Sequence, residues 1–417
     1  MTLRPEVLLH AAEVVGRMDD CMLPLADAAI LPAEAYASEL FHEFERDAIY
    51  RTQWLCVGHV AQVPDVGDVE TLSIIGEPIM IVRGKDEQVR VLSAICQHRG
   101  HPLFDGLATP TEKVCRASRL TCPYHQWVYG LSGELLAAPE MHATTPLRQL
   151  KEEIRLPEIR TEIFHGLVFI NFDDDAEPLA PTLAALDADL ANYDTDDLVA
   201  MPAIDRPGLG WNWKVHLENA LEPYHTAYVH KGSHEEAPLS NASFLPFEPG
   251  QGMIWHPTSL LNEDVSLSGG ESTVSSPRFP RLTAEQRSRV MFSAIPPTLF
   301  LIQNPTMLDA TILLPNGAGS LDHRRINLFP RAALDEPGFE EMYAALVARK
   351  DLVIAQDTAT AEAAQRGYAS SYAPRGRLSE YEETVHQLHE WLVPRYRAAL
   401  EAATTPTPAP TPAGSRT

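Results

Sequence analysis

The stretches Cys96-Gln97-His98-Arg99-Gly100 and Cys122-Pro123-Tyr124-His125 decide the fold of the first half of this 417-residue chain. Each stretch contains a cysteine followed by a histidine, with one residue between them in the first and two in the second. Side chains so close in sequence can point at one small object. Two thiolates and two imidazoles, supplied as two mixed pairs, therefore predict one metal site with four protein ligands.

Two kinds of metal site use this ligand set. Structural zinc sites usually place their cysteines in one pair and their histidines in the other. A Rieske [2Fe–2S] centre has two cysteines on one iron and two histidines on the second. Because both pairs are mixed here, the spacing favours the Rieske centre over zinc. We expect its ligands to be Cys96, His98, Cys122 and His125, at two loop tips of a small β domain.

The residues around these ligands carry a family resemblance. His98-Arg99-Gly100-His101 and Cys122-Pro123-Tyr124-His125-Gln126-Trp127, followed by Tyr129 and Gly133, resemble the Rieske domain of aromatic-ring-hydroxylating oxygenases. The resemblance extends from about Tyr36 to Trp391. It implies an α+β fold, in which a small antiparallel β Rieske domain precedes a helix-grip catalytic domain with a large antiparallel sheet covered by helices.

The pattern of apolar, turn-forming and proline residues along the chain predicts four segments. Residues 1–53 are predicted to be helical and to pack on the catalytic domain, and short alternating runs between turn residues predict strands in a Rieske domain at 54–172. The catalytic domain is predicted at 173–402, with a strand-like run from Phe292 to Leu301 and a long helix from Gly338 to Gln365. Residues 403–417 form a Thr-Pro-rich tail that we predict to be disordered.

Charge and composition exclude several classes of function. A net charge of −24 disfavours nucleic acid as a partner, because phosphates attract basic surfaces. No apolar run approaches the roughly 18–20 residues that span a membrane, and no export signal is visible, so we expect a cytoplasmic protein without a membrane partner. The five cysteines are too few for a second four-thiolate cluster, and no G-x-G-x-x-G motif follows a strand. A separate NAD(P)H-dependent reductase, with or without a ferredoxin, is therefore expected.

A second metal site is predicted around His225 and His230. Two histidines and a distant carboxylate hold iron facially in non-haem Fe(II) oxygenases. On one regular helix these two side chains would diverge by about 140°, so both can bind one iron only if the helix is distorted or ends between them, and the nearby Pro223 favours such an irregularity. Alone, two histidines in a chain with 16 are a weak signal. Asn212-Trp213-Lys214, with Glu218-Asn219, Glu222, Tyr224-His225 and His230, resembles the iron-binding helix of Rieske oxygenase large subunits.

The third iron ligand is expected far downstream. The segment from Ala355 to Gly367 resembles the family pattern of an acidic ligand on a helix, and Asp357 occupies the matching position. Asp351 and Glu362 are the nearest alternatives. Asn219 is expected to line the iron site.

Glu222 matches the acid that, in this family, bridges an iron-binding histidine to a Rieske histidine of a neighbouring subunit. The resemblance therefore implies an electron route through His125, Glu222 and His225, and a homotrimer. A simpler role is that Glu222 only orients His225. A glutamate in this position resembles the family members that act on carnitine and other betaines.

These residues predict the terminal oxygenase of a multicomponent Rieske system, which activates O2 at a mononuclear Fe(II) and hydroxylates or N-dealkylates a small organic substrate. A betaine or related N-methyl compound is favoured, and ring hydroxylation of an aromatic acid or amine is the alternative. A Rieske electron carrier without catalysis is a third hypothesis, which the predicted second iron site argues against.

Overall fold

The computed structural model describes residues 3–104, 114–231, 236–261 and 277–404. The predicted disordered tail falls almost wholly outside these ranges. Its first two residues, 403 and 404, are helical, and residues 405–417 are not among the described residues.

The N-terminal segment is mainly helical. Its α-helices are α1 (Pro5–Val15), α2 (Glu34–Ala37) and α3 (Glu39–Glu45), and a π-helical turn follows at Arg46–Tyr50. The hydroxyl of Ser38 accepts a hydrogen bond from the Phe41 amide and so caps the start of α3. Helix α1 buries a stripe at helical spacing, formed by Val7, Ala11 and Val14, towards α3 and the C-terminal helix.

The next segment is built from short strands. In chain order it contains β1 (Leu55–His59), β2 (Asp68–Ile74), β3 (Glu77–Arg83), β4 (Val89–Ser93), β5 (Val114–Arg116), β6 (Leu120–Thr121), β7 (Val128–Tyr129), β8 (Leu135–Ala137), helix α4 (Leu147–Glu153), β9 (Glu158–Phe164) and β10 (Leu167–Asn171). Among the described residues, seven of these strands form one antiparallel sheet in the order β1-β10-β9-β4-β3-β2-β5, and β6-β7-β8 form a second. The predicted ligand loops therefore leave from β4 and from the β6–β7 hairpin.

The remaining segment surrounds a larger antiparallel sheet with helices. In chain order it contains α5 (Ala184–Leu190), β11 (Leu198–Ala200), β12 (Ile204–Leu209), α6 (Trp213–Leu221), α7 (Thr226–Val229), β13 (Ile254–Ser259), α8 (Ala284–Arg287), β14 (Arg289–Ile295), β15 (Leu299–Asn304), β16 (Met307–Gly317), β17 (Ser320–Pro330), α9 (Arg331–Leu334), α10 (Phe339–Tyr368) and α11 (Glu383–Thr404). The described strands lie in the order β11-β17-β16-β15-β14-β13, with β12 also paired to β17. Helix α6 packs against both α10 and α11.

One sequence-based boundary is wrong. The run from Phe292 to Leu301, predicted as one strand, is split between β14 and β15 by a turn at Pro296-Pro297. Two consecutive prolines have no amide hydrogen to donate to a strand ladder, so the chain turns there.

A buried ion pair joins the two sheets. The Arg324 guanidinium of β17 donates to Glu70 of β2 and to Asp205 of β12 at 2.6 and 2.9 Å. The Thr298 hydroxyl adds a hydrogen bond to the carbonyl of Cys56 in β1. None of the described helices is both long and apolar enough to cross a membrane.

Candidate metal centres

The two predicted cluster loops have the same backbone design. In each, the cysteine carbonyl accepts from the amide four residues later, which belongs to Gly100 in one loop and Gln126 in the other. The cysteine amide in turn donates to the carbonyl five residues later. Gly100 and Gln126 both have left-handed φ values, 71° and 56°, which the tight turn requires. Each loop therefore presents one cysteine and one histidine from a single turn.

The cysteines are buried and the histidines lie nearer the surface. Cys96 and Cys122 are each 2% exposed, whereas His98 and His125 are half-buried, with ring centroids 4.7 Å apart. The His98 ring stacks on Trp127 at 4.5 Å. The Tyr129 hydroxyl accepts from the Gln97 amide, so its own hydrogen is free to point at Cys96 Sγ, 3.3 Å away. This donor would stabilise a thiolate.

This geometry fits a two-iron cluster better than a zinc ion. Ligand atoms around tetrahedral zinc lie roughly 3.3–3.8 Å apart, because each bond measures about 2.0–2.3 Å. Among the described residues, no three of these four ligands come within 4.8 Å of one another, whereas a separate histidine–aspartate group does. His98 Nδ1 is buried and has no hydrogen-bond partner among the described residues. A cluster that separates the cysteine side from the histidine side accounts for both observations.

The second predicted site forms where a helix stops. Helix α6 ends at Leu221 and is followed by Glu222-Pro223, and the one-turn helix α7 then separates His225 from His230. The expected irregularity is therefore present, as a break at Glu222-Pro223 that lies before the first histidine. It turns the two imidazoles towards each other, with their Nε2 atoms 3.1 Å apart.

Asp357 of α10 completes this group. Its Oδ1 lies 3.1 Å from His230 Nε2 and 3.6 Å from His225 Nε2. Burial alone would raise the pKa of Asp357, but His230, His225 and a hydrogen bond from Asn219 outweigh burial and hold the pKa below its ordinary value. Two nitrogens and a carboxylate oxygen that converge on one point form the ligand set of non-haem Fe(II) sites.

Each histidine is oriented by an acceptor behind it. His225 Nδ1 donates to Glu222 Oε1 at 2.7 Å, and His230 Nδ1 donates to Gln356 Oε1 at 2.9 Å. A carboxylate or amide oxygen can only accept, so the hydrogen of each ring lies on Nδ1. Both Nε2 lone pairs are thereby left for a metal. No sequence pattern indicated Gln356, because it is adjacent to Asp357 and adjacent residues on a helix point about 100° apart.

The two alternative acids do not join the group. Asp351 pairs with Arg206 and Arg325, and Glu362 reaches Arg366 at 4.0 Å. Of the acids considered on this helix, Asp357 is the one that the structure brings to both histidines.

The histidine–aspartate group opens on a cavity of about 170 Å³ between the large sheet, α6 and α10. Phe292 and Phe300 line it. The other lining side chains include several polar groups that no motif in the sequence indicated: His216, His256, Asp309, His323, Arg325 and Lys350. Burial lowers the pKa of His216 and of His256 to about 4, so both rings are neutral near pH 7.

Comparison with protein families places the chain. Residues 53–154 match the Rieske [2Fe-2S] domain, and residues 188–398 match the ring hydroxylating alpha subunit (catalytic domain). The chain belongs to the ring-hydroxylating alpha-subunit family. The expected family and its α+β fold, with a Rieske domain and a catalytic domain, are thus confirmed. The two matches imply a Rieske cluster and a mononuclear iron site.

Curated relatives in this family align with about half of their length. A carnitine monooxygenase oxygenase subunit of Escherichia coli (strain K12) is 32% identical over 208 residues, 49% of this chain and 53% of that protein. A glycine betaine monooxygenase oxygenase subunit of Pseudomonas aeruginosa (strain UCBPP-PA14) is 32% identical over 49% of this chain and 45% of its own. The alpha subunit of a 2-aminobenzenesulfonate 2,3-dioxygenase of Alcaligenes sp is 33% identical over 45% of this chain and 46% of its own.

Solved structures share the fold over nearly the whole chain. The quaternary ammonium Rieske monooxygenase CntA in complex with L-carnitine has a TM-score of 0.74 at 22% identity, and covers 91% of this chain and 98% of its own. Naphthalene 1,2-dioxygenase from a Rhodococcus species has a TM-score of 0.76 at 17% identity, with coverage of 97% and 100%. At these identities the likeness shows the fold alone.

Proposed function

We propose that this chain is the terminal oxygenase component of a multicomponent Rieske oxygenase. The observation that carries the proposal is the group of His225, His230 and Asp357, which faces a cavity in the same chain that carries a Rieske domain. Iron bound by this group would supply the chemistry that activates O2. An electron carrier without catalysis would need neither the second ligand group nor the cavity.

The residues have the following proposed roles. Cys96, His98, Cys122 and His125 hold the [2Fe–2S] cluster, with the domain boundaries proposed above at 54–172 and 173–402. His225, His230 and Asp357 hold the mononuclear iron. Glu222 keeps the His225 hydrogen on Nδ1, and Asn219 donates to the Asp357 carboxylate and so keeps it ionised. The cavity walls shield the reacting carbon from water.

Electrons are proposed to pass between subunits of a homotrimer. His98 and His125 lie near the surface, and exposed Tyr124 stands beside them. At the other site, the partly buried Glu222 is followed by exposed Tyr224 and Tyr228. Two surfaces with exposed aromatic rings, one at each metal centre, suit a contact between neighbouring copies. Glu222 would then link His125 of one copy to His225 of the next, with reducing equivalents from a separate NAD(P)H-dependent reductase in the cytoplasm.

A betaine or another N-methyl compound is the favoured substrate. The support comes from the glutamate at position 222 and from relatives named for carnitine and glycine betaine. An aromatic acid or amine is the second candidate, favoured by the relative named for 2-aminobenzenesulfonate. The wall residues Phe292 and Phe300 suit either an ammonium methyl group or an aromatic ring.

A single-turnover experiment tests the reaction without the natural reductase. The iron-loaded protein is reduced with dithionite, freed of excess reductant, and mixed with O2 and one candidate substrate. Formaldehyde or an aldehyde from γ-butyrobetaine, carnitine or glycine betaine would support N-dealkylation or adjacent C–H hydroxylation. A hydroxylated ring from an aromatic acid would support the alternative. Oxidation of the cluster without a product from any of these compounds would contradict the proposed oxygenase.

Hybrid oligomers test the route between subunits. His125→Ala removes a cluster ligand and His225→Ala removes an iron ligand, so each variant alone is expected to be inactive. When the two are co-expressed with different tags, roughly a quarter of all contacts in a cyclic trimer pair an intact cluster with an intact iron site. Activity near that fraction of wild type supports the proposed route. Inactive hybrids would contradict it.

A further inference from the structure

The cavity contains a buried charge cluster away from the iron ligands. Strand β17 alternates its side chains, so His323 and Arg325 line the cavity while Arg324 points to the other face and binds Glu70 and Asp205. Arg325 is 3% exposed. It lies opposite Thr311 of β16, another cavity residue.

Arg325 shares one carboxylate with a second arginine. Asp351 of α10 forms a close contact with Arg206, and its distance from Arg325 is 3.7 Å, too long for a good hydrogen bond. Asp351 itself is half exposed, so its charge is screened by solvent. Two guanidinium groups and one carboxylate leave a positive charge without a counter-ion.

Unpaired hydrogen-bond donors also indicate that this positive charge lacks a partner. Nε and Nη2 of Arg325 and Nη1 of Arg206 are buried and have no hydrogen-bond partner among the described residues. A charged donor that is buried without an acceptor costs more free energy than a neutral one. The neighbouring cations differ, because Lys350 pairs with Asp309 and Arg349 pairs with Glu236. In the described part of the cavity wall, Arg325 is thus the cation whose buried N–H groups lack a hydrogen-bond acceptor and a close counter-ion.

We propose that Arg325 forms an anion subsite that binds the carboxylate or sulfonate group of the substrate. The inference rests on the proposed oxygenase function and narrows its substrate class to organic acids, including zwitterions such as betaines. An acid group beside Arg325 supplies both the missing counter-charge and acceptors for the planar fork of the guanidinium.

The position of the subsite also orients the substrate. Asp351, which contacts Arg325, precedes Asp357 by six residues on α10, a separation of roughly 9 Å along the helix axis. An acid held by Arg325 therefore lies at the opposite end of the substrate from the carbon that faces the iron ligands. A choline-like cation without an acid group would lack this anchor.

Binding of acid–amide pairs tests the subsite independently of turnover. Dissociation constants are measured by calorimetry on anaerobic, iron-loaded protein for γ-butyrobetaine, benzoate and benzenesulfonate, each beside the amide or sulfonamide that lacks its negative charge. The pair members have similar shape and differ in charge. At least one acid is expected to bind roughly 10- to 100-fold more tightly than its amide, the range for hydrogen bonds to charged groups.

The variants assign that preference to one residue. Arg325→Gln should abolish the preference for acids, and Arg325→Lys should retain part of it, because a lysine keeps the charge but loses the fork. Arg331→Gln is the matched control, since Arg331 follows the same strand and is exposed. The visible spectrum of the cluster and circular dichroism check that each variant is folded.

The outcomes separate this inference from the substrate proposal. If benzoate or benzenesulfonate alone shows the acid preference, the anion subsite stands and the betaine hypothesis fails. If every acid binds no better than its amide or sulfonamide in the wild type, the subsite is wrong, even if the enzyme demethylates an amine. A preference that survives unchanged in folded Arg325→Gln also overturns it.

Discussion

At the scale of single residues, the iron site depends on which nitrogen of each histidine is free. Glu222 and Gln356 fix the hydrogen of His225 and His230 on Nδ1, and both Nε2 atoms face Asp357. The ligands and their orienting partners are thus separable by mutation.

Removal of His225 should affect one centre and spare the other. His225→Ala is expected to lower the iron content from three to two atoms per chain and to abolish turnover, because a histidine and a carboxylate hold Fe(II) weakly. Metal analysis and the visible spectrum of the cluster measure the two effects. His142→Ala, which changes an exposed histidine, is the control. Full activity in His225→Ala would contradict the assignment of the mononuclear site.

Gln356 should act through His230. Gln356→Leu removes the acceptor for Nδ1, and a 10- to 100-fold loss of iron affinity is the expected size for such a partner. Gln356→Glu keeps an oxygen at this place and should retain most of the affinity. Titration with Fe(II) under anaerobic conditions gives both values. Equal losses in the two variants would show that the acceptor is not what matters.

The residue scale also shows how far sequence reasoning reaches. The sequence predicts nine site residues, and the structure brings five of them together: His225, His230, Asp357, Asn219 and Glu222. Gln356 and Arg325 could not be named, because their roles depend on contacts between β17, α6 and α10 that no local pattern encodes. Their assignment needed coordinates.

At the scale of elements, helix α6 is held in place by a buried ion pair. The Lys214 ammonium donates to both oxygens of Glu45 at 2.7 and 2.9 Å, the Tyr396 hydroxyl contacts the same carboxylate, and both charged side chains are fully buried. The pair joins α6 to α3 and α11. It fixes the helix that carries Asn219 and leads into Glu222.

Removal of one charge of the Lys214–Glu45 pair should lower the free energy of unfolding more than removal of both charges. Lys214→Met leaves the Glu45 charge buried without a cation, and a loss of about 3–5 kcal/mol in the free energy of unfolding is expected. The double variant Glu45→Gln, Lys214→Met should recover much of that loss, because no charge stays buried. Urea denaturation measures all three proteins. A double variant that is less stable than Lys214→Met would show that the pair itself stabilises the fold.

Element boundaries illustrate what local patterns miss. The apolar run from Phe292 to Leu301 suggested one strand, but Pro296-Pro297 divides it into a hairpin. The signal was present in the dipeptide and was outweighed by hydrophobicity. An irregular helix was expected because two ligands five residues apart do not share a helical face, and the structure places the break before both histidines.

At the scale of the whole molecule, buried neutral histidines make stability depend on pH. His59 is 1% exposed, and burial lowers its pKa from 6.5 to about 4. In the unfolded chain it binds a proton below about pH 6.5, whereas in the folded chain it does not until about pH 4. The stability that comes from keeping His59 neutral is therefore fully present above about pH 6.5, and it is lost as the pH falls towards about 4.

The His59→Asn variant isolates this effect. The Ala61 amide donates a hydrogen bond to His59 Nδ1. An asparagine at this position keeps an acceptor for that amide, but its side chain does not titrate. From pH 7 to pH 5 the wild type should lose about 2 kcal/mol more than the variant, since pH 5 lies 1.5 units below the unfolded pKa. Urea unfolding at the two pH values measures the difference. Equal losses would mean that His59 is not kept neutral by the fold.

A Rieske cluster and a mononuclear iron are proposed to occupy one chain, and electron paramagnetic resonance can detect both centres. Iron-replete protein is reduced with dithionite under anaerobic conditions and exposed to nitric oxide. A Rieske signal together with an iron–nitrosyl signal, the latter lost in His225→Ala, is the predicted result. A Rieske signal without any nitrosyl species would leave an electron carrier and contradict the proposed oxygenase.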